Sequence, residues 1–377
     1  MQTVPNAKDA EIAIVGGGLA GRLLAYRYIS ETRKSVCLID PTNQREDHIF
    51  GFFDDGRDSI KLPRALASHS FSHWTINNAQ IRTTHAPRAH RYRLISASDY
   101  EQHLLNHCQS SERFTLVRDC VVNQECMGDI TQLRLHSGSM IGVKQCFDSR
   151  ANIANGDYLM QHFLGQYVRV ETPTFNPNSV ELMNFSVDQS AGMHFMYVLP
   201  FSETEALVES TVYSTETHDA DWYKAHITEF LLKNYSLADY KVYNTERGVI
   251  PLTYDKPHDS FGTAVGLRAG ALRTSSGYAF SQIHDQVYRI DLGNPQKIAK
   301  SHTQVERWMD DILLRVLRNY PDIAPAVFNK MAQVLDGDQF ATFMLGRSPL
   351  WDKIRLILRL PKQPFLHQTL LGKRMTQ

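Results

Sequence analysis

The stretch Glu11-Ile-Ala-Ile-Val-Gly-Gly-Gly-Leu-Ala-Gly21 decides the fold. A short apolar run, Ile12 to Val15, leads into Gly16-x-Gly18-x-x-Gly21, and a helix-compatible run through Leu23, Leu24, Ala25, Tyr28 and Ile29 follows. A second apolar segment, Val36-Cys-Leu-Ile39, ends in Asp40, close to the ~20-residue offset at which a dinucleotide fold carries its ribose acid. Gly16 permits the tight turn, Gly18 lets the backbone approach a pyrophosphate, and Gly21 allows close helix–strand packing. The first helical turn, Leu19 and Ala20 included, offers unpaired N–H groups to phosphate. Strand, glycines, helix, strand and acid in that order assign Gly16, Gly18, Leu19, Ala20, Gly21 and Asp40 to dinucleotide binding.

The chain around this motif is long enough, at 377 residues, for two or three closely joined units with a large core. Its 42% hydrophobic and 21% charged residues mark a globular protein, and zero net charge argues against nucleic acid as a partner. No apolar run reaches the ~18–20 residues that cross a bilayer. The N-terminus lacks a charged-then-apolar secretory pattern, and five cysteines without CxxC spacing read as reduced thiols, so the expected location is cytoplasmic.

Behind Asp40 comes His48-Ile-Phe-Gly-Phe-Phe53-Asp-Asp55, whose aromatics either line a cavity or fill the core beneath the sheet. Tyr92–Ser98 reads as a strand leading into a helix, with Ser98 and Glu101 at capping-box spacing. On that helix His103 and His107 sit four apart without the glutamate of a zinc signature, and no metal site is assigned. Residues 114–147 alternate as strands and close on Asp148, expected at a strand end beside the cofactor cleft, with Arg150 either near that cleft or in a turn ion pair. Further strands are expected at 164–171, 180–185, 195–200 and 205–213, the last two antiparallel partners, and Gly248-Val-Ile-Pro251 is expected to turn into another. Within 205–213, alternation puts Glu209 on one face with Leu207 and Thr211 and puts Val208, Ser210 and Val212 on the other. If the Glu209 face meets a cavity, its carboxyl is desolvated and becomes a proton donor near neutral pH; if it meets solvent, it is an edge charge. Gly270, Gly277 and Tyr278, followed by a helix through Ile283, Val287 and Ile290, suit a second backbone approach to a flavin. The tail from Leu350 to Lys362 is basic and amphipathic, and fits either an anionic membrane surface or a docked terminal helix.

These stretches together resemble the bacterial lycopene β-cyclase family of FAD-dependent carotenoid cyclases. The resemblance rests on IVGGGLAG, DHIFGFFDD at 47–55, Asp148-Ser-Arg150, MHFMYVLPFSETEALVESTVY at 193–213, GVIPL at 248–252 and GLRAGALRTSSGYAF at 266–280. It implies FAD working in its reduced form, with NAD(P)H as electron source, and a hydrophobic, lycopene-like polyene whose acyclic ends close to β-ionone rings without net redox change. It implies Glu209 as general acid/base, with Phe50, Phe52, Tyr197 and Tyr278 lining the substrate pocket; peripheral contact with the membrane is expected from the basic tail alone. The chain departs from the family pattern at Ser210, where a second acid is usual, and at 271–276. The runner-up reading from the same glycine motif is a flavin monooxygenase or halogenase acting on a polyene or aromatic substrate.

The expected fold class is α/β: a two-dinucleotide-type, FAD-binding Rossmann-like fold with an inserted antiparallel β-sheet substrate domain and a helical C-terminal region. The expected units are 1–155 and 246–300 for FAD, 156–245 for the β-rich insert, and 301–377 for the helical region with its basic tail.

Overall fold

The computed structural model describes residues 10–43, 46–151, 156–254, 259–295 and 298–372. It is a mixed α/β structure with three sheets. In the first, Phe114–Val117, Val36–Ile39, Ala10–Val15 and Met140–Asp148 run parallel in that order, with Thr263–Ala264 beside the end of Met140–Asp148. The register places Val15 opposite Ile39 on one side and Asp148 on the other. Such strands are covered on both faces, and this is why 12–15 and 36–39 read as unbroken apolar runs. Ile12, Ile14 and Leu38 pack under the Leu19–Glu31 helix, while Ala13, Val15 and Ile39 share a core on the opposite face with Ile141 and with Val121 and Leu133 of the antiparallel strands Val121–Met127 and Ile130–Leu135.

The second sheet runs Lys241–Pro251, Met160–Arg169, Glu205–Ser214, Met193–Pro200, Ser179–Asn184, His73–Asn77, Arg82–His85. Its strands pair antiparallel except that His73–Asn77 runs parallel to Ser179–Asn184. The sheet thus draws strands from residues 73–85 as well as from the insert, and its outer strand crosses the expected 245/246 boundary. Alternation along Glu205–Ser214 divides two cores. Leu207 and Tyr213 face Phe53, Tyr92, Phe328 and Phe340, whereas Val208 and Val212 pack on Ile227, Phe230 and Leu231 of the Ala220–Tyr235 helix. A third, small sheet joins Ile49–Asp54, Arg91–Ser96 and His69–Phe71. The C-terminal region is helical at Gln304–Asn319, Ala324–Val334, Gly337–Met344, Leu350–Arg359 and Lys362–Gly372, with capping boxes at Thr303/Glu306 and Asp336/Gln339.

Several local expectations are corrected. The Ala97–Gln109 helix is capped by Ser96, whose Oγ accepts from Asp99 N at 3.1 Å, not by Ser98 and Glu101. The preceding strand stays extended through Ser96, which brings the helix start forward; Glu101 is buried instead beside Arg22, 3.6 Å away. Gly248 makes no turn. It lies inside the Lys241–Pro251 strand, where a Cβ would come within 2.6 Å of the Phe163 ring. The helix after Tyr278 ends at Tyr288, short of Ile290. The Ala220–Tyr235 helix, begun by Asp219 accepting from Trp222 N at 2.9 Å, stands where only strands were expected.

Candidate active site

The glycine turn and its neighbours enclose a groove of about 520 Å³. Gly16, Gly18, Leu19, Ala20 and Asp40 line it, with Phe50, Arg150, Leu267 and the first turn of the Phe280–Tyr288 helix opposite. Gly16 has φ +99°, a left-handed conformation suited to glycine, and a Cβ on Gly21 would lie 2.0 Å from Gly16 O. The buried Asp40 carboxylate accepts from Gly17 N and, at 2.7 Å, from Thr42 N, so it braces the turn while facing the groove. Two backbone approaches meet a helix N-terminus here, which is the donor set a dinucleotide requires. The second approach is made at Gly266, whose Cβ would sit 2.4 Å from Ala20 Cβ. Gly270 lies away from the groove beside Arg307, and Gly277 lies against Gln161 of the second sheet. Asp148 is fully buried and does not line the groove. It receives Arg150 at 2.9 and 2.7 Å, Arg268 at 3.0 Å and Phe261 N at 2.9 Å, fastening the 261–270 segment to the sheet.

The Ile49–Asp54 strand separates this groove from a cluster of buried polar side chains. Phe50 faces the groove, and Phe52 is buried in the core on the same side, its ring 4.8 Å from Phe280. The opposite face presents Gly51, where a Cβ would meet Tyr92 Oη at 2.3 Å and Tyr197 Oη at 2.7 Å. There Tyr92, Tyr197 and Tyr278 share hydroxyl contacts of 2.5 and 3.2 Å around the Tyr92 oxygen. Burial pushes all three phenols up, Tyr278 to about 12, so they stay neutral.

Glu209 stands directly opposite Tyr197 across the antiparallel pair. It is buried, 7% exposed, and Thr211 Oγ1 donates to it. Burial, and then the nearby charge of Glu246, push its carboxyl up to about 8. Glu246 is equally buried, and burial pushes it to about 7 against the opposing effect of two donors, Tyr167 Oη at 2.6 Å and Ile49 N at 3.2 Å. Both acids are cross-strand partners of Gly165, one on each side. A Cβ at position 165 would lie 2.7 Å from Leu207 Cδ1, 3.2 Å from Glu246 Cγ and 3.6 Å from Glu209 Cβ, so the two acids flank a position that a larger side chain would crowd. Ser210, as alternation requires, points the other way and meets His194 Nε2 at 2.9 Å beneath the Ala220–Tyr235 helix.

The model of the lycopene cyclase protein family matches residues 11–370. The chain belongs to the lycopene cyclase family. It is 26% identical to the lycopene beta-cyclase of Pantoea ananas, over 94% of this chain and 96% of that one. Against the lycopene beta-cyclase of Pseudescherichia vulneris it is 24% identical over 94% and 95%. In fold it is similar to a geranylgeranyl bacteriochlorophyll reductase-like protein from Thermoplasma acidophilum, with TM-score 0.59, 12% identity and coverage of 97% and 100%. It is similar also to the flavin-dependent brominase Bmp2, with TM-score 0.58, 12% identity and coverage of 98% and 99%.

In this lycopene cyclase family member Glu246, Tyr167, Tyr92 and Gly165 join the cluster without having been singled out by any motif in the sequence. The signal for Glu246 was present: Glu246, Gly248 and Ile250 alternate on one face, but a turn read at Gly248 detached the glutamate from its strand. Among the described residues no cluster of His, Cys, Asp and Glu is placed to hold a metal.

Proposed function

We propose that the chain closes the acyclic ends of lycopene, or a closely related polyene, to β-ionone rings. The observation that carries this is the buried Glu209, held neutral near physiological pH beside a ring of neutral tyrosines, one strand away from a dinucleotide groove. Family membership and flavoprotein neighbours support FAD as the groove's occupant, held by the Gly16–Gly21 turn, the Phe280 helix terminus and Phe50. Reduced flavin, with NAD(P)H as electron source, supplies negative charge next to a cationic reaction path and no net electrons.

Glu209 Oε–H donates its proton to C2 of the terminal C1=C2 alkene, leaving a tertiary cation at C1. The C5=C6 electrons form the C1–C6 bond and shift the charge to C5; loss of the C6 proton restores C5=C6, with mass unchanged. The tyrosine faces and the excluded water protect the cation from capture. Thr211, donating to Glu209, fixes the carboxyl's orientation.

The C-terminal helices suit an insoluble substrate. Leu350, Trp351, Ile357 and Leu358 stand exposed on Leu350–Arg359, with Arg355 and Arg359 exposed beside them. An apolar cleft of about 390 Å³ opens among these helices, lined by Leu313, Phe328, Met331, Phe343, Leu356 and Leu366. We infer peripheral contact with an anionic bilayer at this face, from which a polyene reaches Glu209. No described helix is long and apolar enough to cross a membrane. Expression in cells that accumulate lycopene tests the function: a ring-bearing product of unchanged mass is expected. A product heavier by oxygen or halogen, with NAD(P)H oxidation coupled to it, would replace this reading by flavin oxygenation or halogenation.

A further inference from the structure

Cyclisation needs two proton movements: one onto C2 before the ring closes and one off C6 afterwards. A single carboxyl performing both must release its proton and, as carboxylate, reach C6 in the same pocket. The protein instead buries two carboxyls in different settings on the same face of one sheet. Glu246 lies across Gly165 from Glu209, and a Cβ at 165 would crowd Leu207 and Glu246. Its Oε2 accepts from Tyr167 Oη at 2.6 Å and from Ile49 N at 3.2 Å, so two donors on one oxygen oppose the effect of burial and make it a better proton acceptor than an undonated buried carboxyl. Glu209 has one hydroxyl donor. Two acids whose surroundings differ in this way divide into proton donor and proton acceptor. Ile49 N also ties Glu246 to the strand that carries Phe50 into the groove, one residue away from Phe50.

We propose that Glu246 is a second catalytic carboxyl, the base that takes the proton leaving C6 while Glu209 serves as the acid at C2. The inference rests on the cyclase reading above. In the closing step the C6–H bond breaks, its electron pair becomes the C5=C6 π bond, and the proton passes to the Glu246 carboxylate. Glu246 then returns one proton to the Glu209 carboxylate, so a turnover consumes none and both acids are reset.

A base that acts only on the ring cation determines which proton leaves. The same C5 cation gives a β ring by losing H from C6, an ε ring by losing H from C4, and a γ ring by losing H from the C5 methyl. Glu246→Gln and Glu246→Asp, purified with flavin bound and incubated with lycopene under reducing conditions, are therefore read by ring type as well as by rate. The expected result is continued consumption of lycopene, slowed by roughly 10²-fold, with the ε-plus-γ to β ratio raised at least roughly ten-fold. Product that is only β in either variant overturns the proposal, as does complete loss of consumption in both variants with flavin still bound, because a base acting after ring closure is not needed to start it. Parent protein that leaves lycopene untouched overturns the cyclase reading and the inference with it; β-only variants of an active parent overturn the inference alone.

Discussion

Replacing Glu209 by Gln tests the electrostatics of the buried cluster without any substrate. The carboxyl moves from an ordinary 4.5 to about 8 in the folded chain. The folded state therefore holds this proton more tightly than the unfolded chain, so this group's contribution to stability is fully present below about pH 4.5 and drains away as pH rises toward 8. Each pH unit inside that window costs about 1.36 kcal/mol. A glutamine, neutral at every pH and able to accept the same Thr211 hydroxyl, escapes this loss. Relative to the parent, the variant gains about 1 kcal/mol at pH 5 and about 4 kcal/mol at pH 8. A chain of 377 residues with roughly 2.1 cal/mol/K of unfolding entropy per residue shifts Tm by about 1.3 °C per kcal/mol. Thermal unfolding of the two proteins between pH 5 and pH 8 should thus show Glu209→Gln rising above the parent, the gap widening by about 4 °C across the range. A gap that is constant, or that closes as pH rises, would mean the carboxyl is ionised at neutral pH in the folded chain, and the proton-donor role would fall with it.

Gly165→Ala should cost about 1–3 kcal/mol through crowding of Leu207 and Glu246 and should lower cyclisation far more than flavin content; an alanine variant with parental turnover would show that the acids do not depend on that space. Gly21→Ala, which puts a Cβ 2.0 Å from Gly16 O, should abolish flavin retention as read by absorbance of the purified protein. Ser210→Glu introduces the acid usual in the family on the face opposite Glu209, beside His194, so turnover per folded, flavin-bound molecule should change by less than about three-fold; a large gain would place position 210 in proton transfer after all. Trp351→Asp combined with Leu358→Asp should leave the fold intact, since both side chains are exposed, and should reduce co-sedimentation with anionic vesicles.

The dinucleotide sheet was legible because its two central strands are buried on both faces and so carry an unmistakable apolar run on either side of the glycine turn. The orientation of Glu209 away from Ser210 was legible for the same kind of reason, a strict period of two in a ten-residue strand. The pairing of Glu209 with Glu246 was not. They are 37 positions apart in a sheet whose order does not follow the chain, and what unites them is the small size of a third residue, Gly165, on the strand between. A second backbone approach was expected at Gly270 and Gly277, yet it is Gly266, four residues before Gly270, that meets the first helix; positive φ occurs at all three, and only the position of Ala20 selects among them. The Ala220–Tyr235 helix carries a legible helical stripe, Tyr223, Ile227, Phe230 and Leu231, and an Asp219 cap, but it lies inside a segment otherwise rich in strand formers.

The Ile49–Asp54 strand has an electrical consequence. It is a septum one backbone thick, aromatic toward the nucleotide and hydrogen-bonded to an acid on the reverse. Across ~10 Å of protein at an effective dielectric near 20, one unit of negative charge arriving on the aromatic side alters an acid's proton affinity on the other by about 1.7 kcal/mol, or roughly one pH unit. Under the proposed cyclase function, such a wall would let a charge held in the groove govern acidity next door without any electron crossing it.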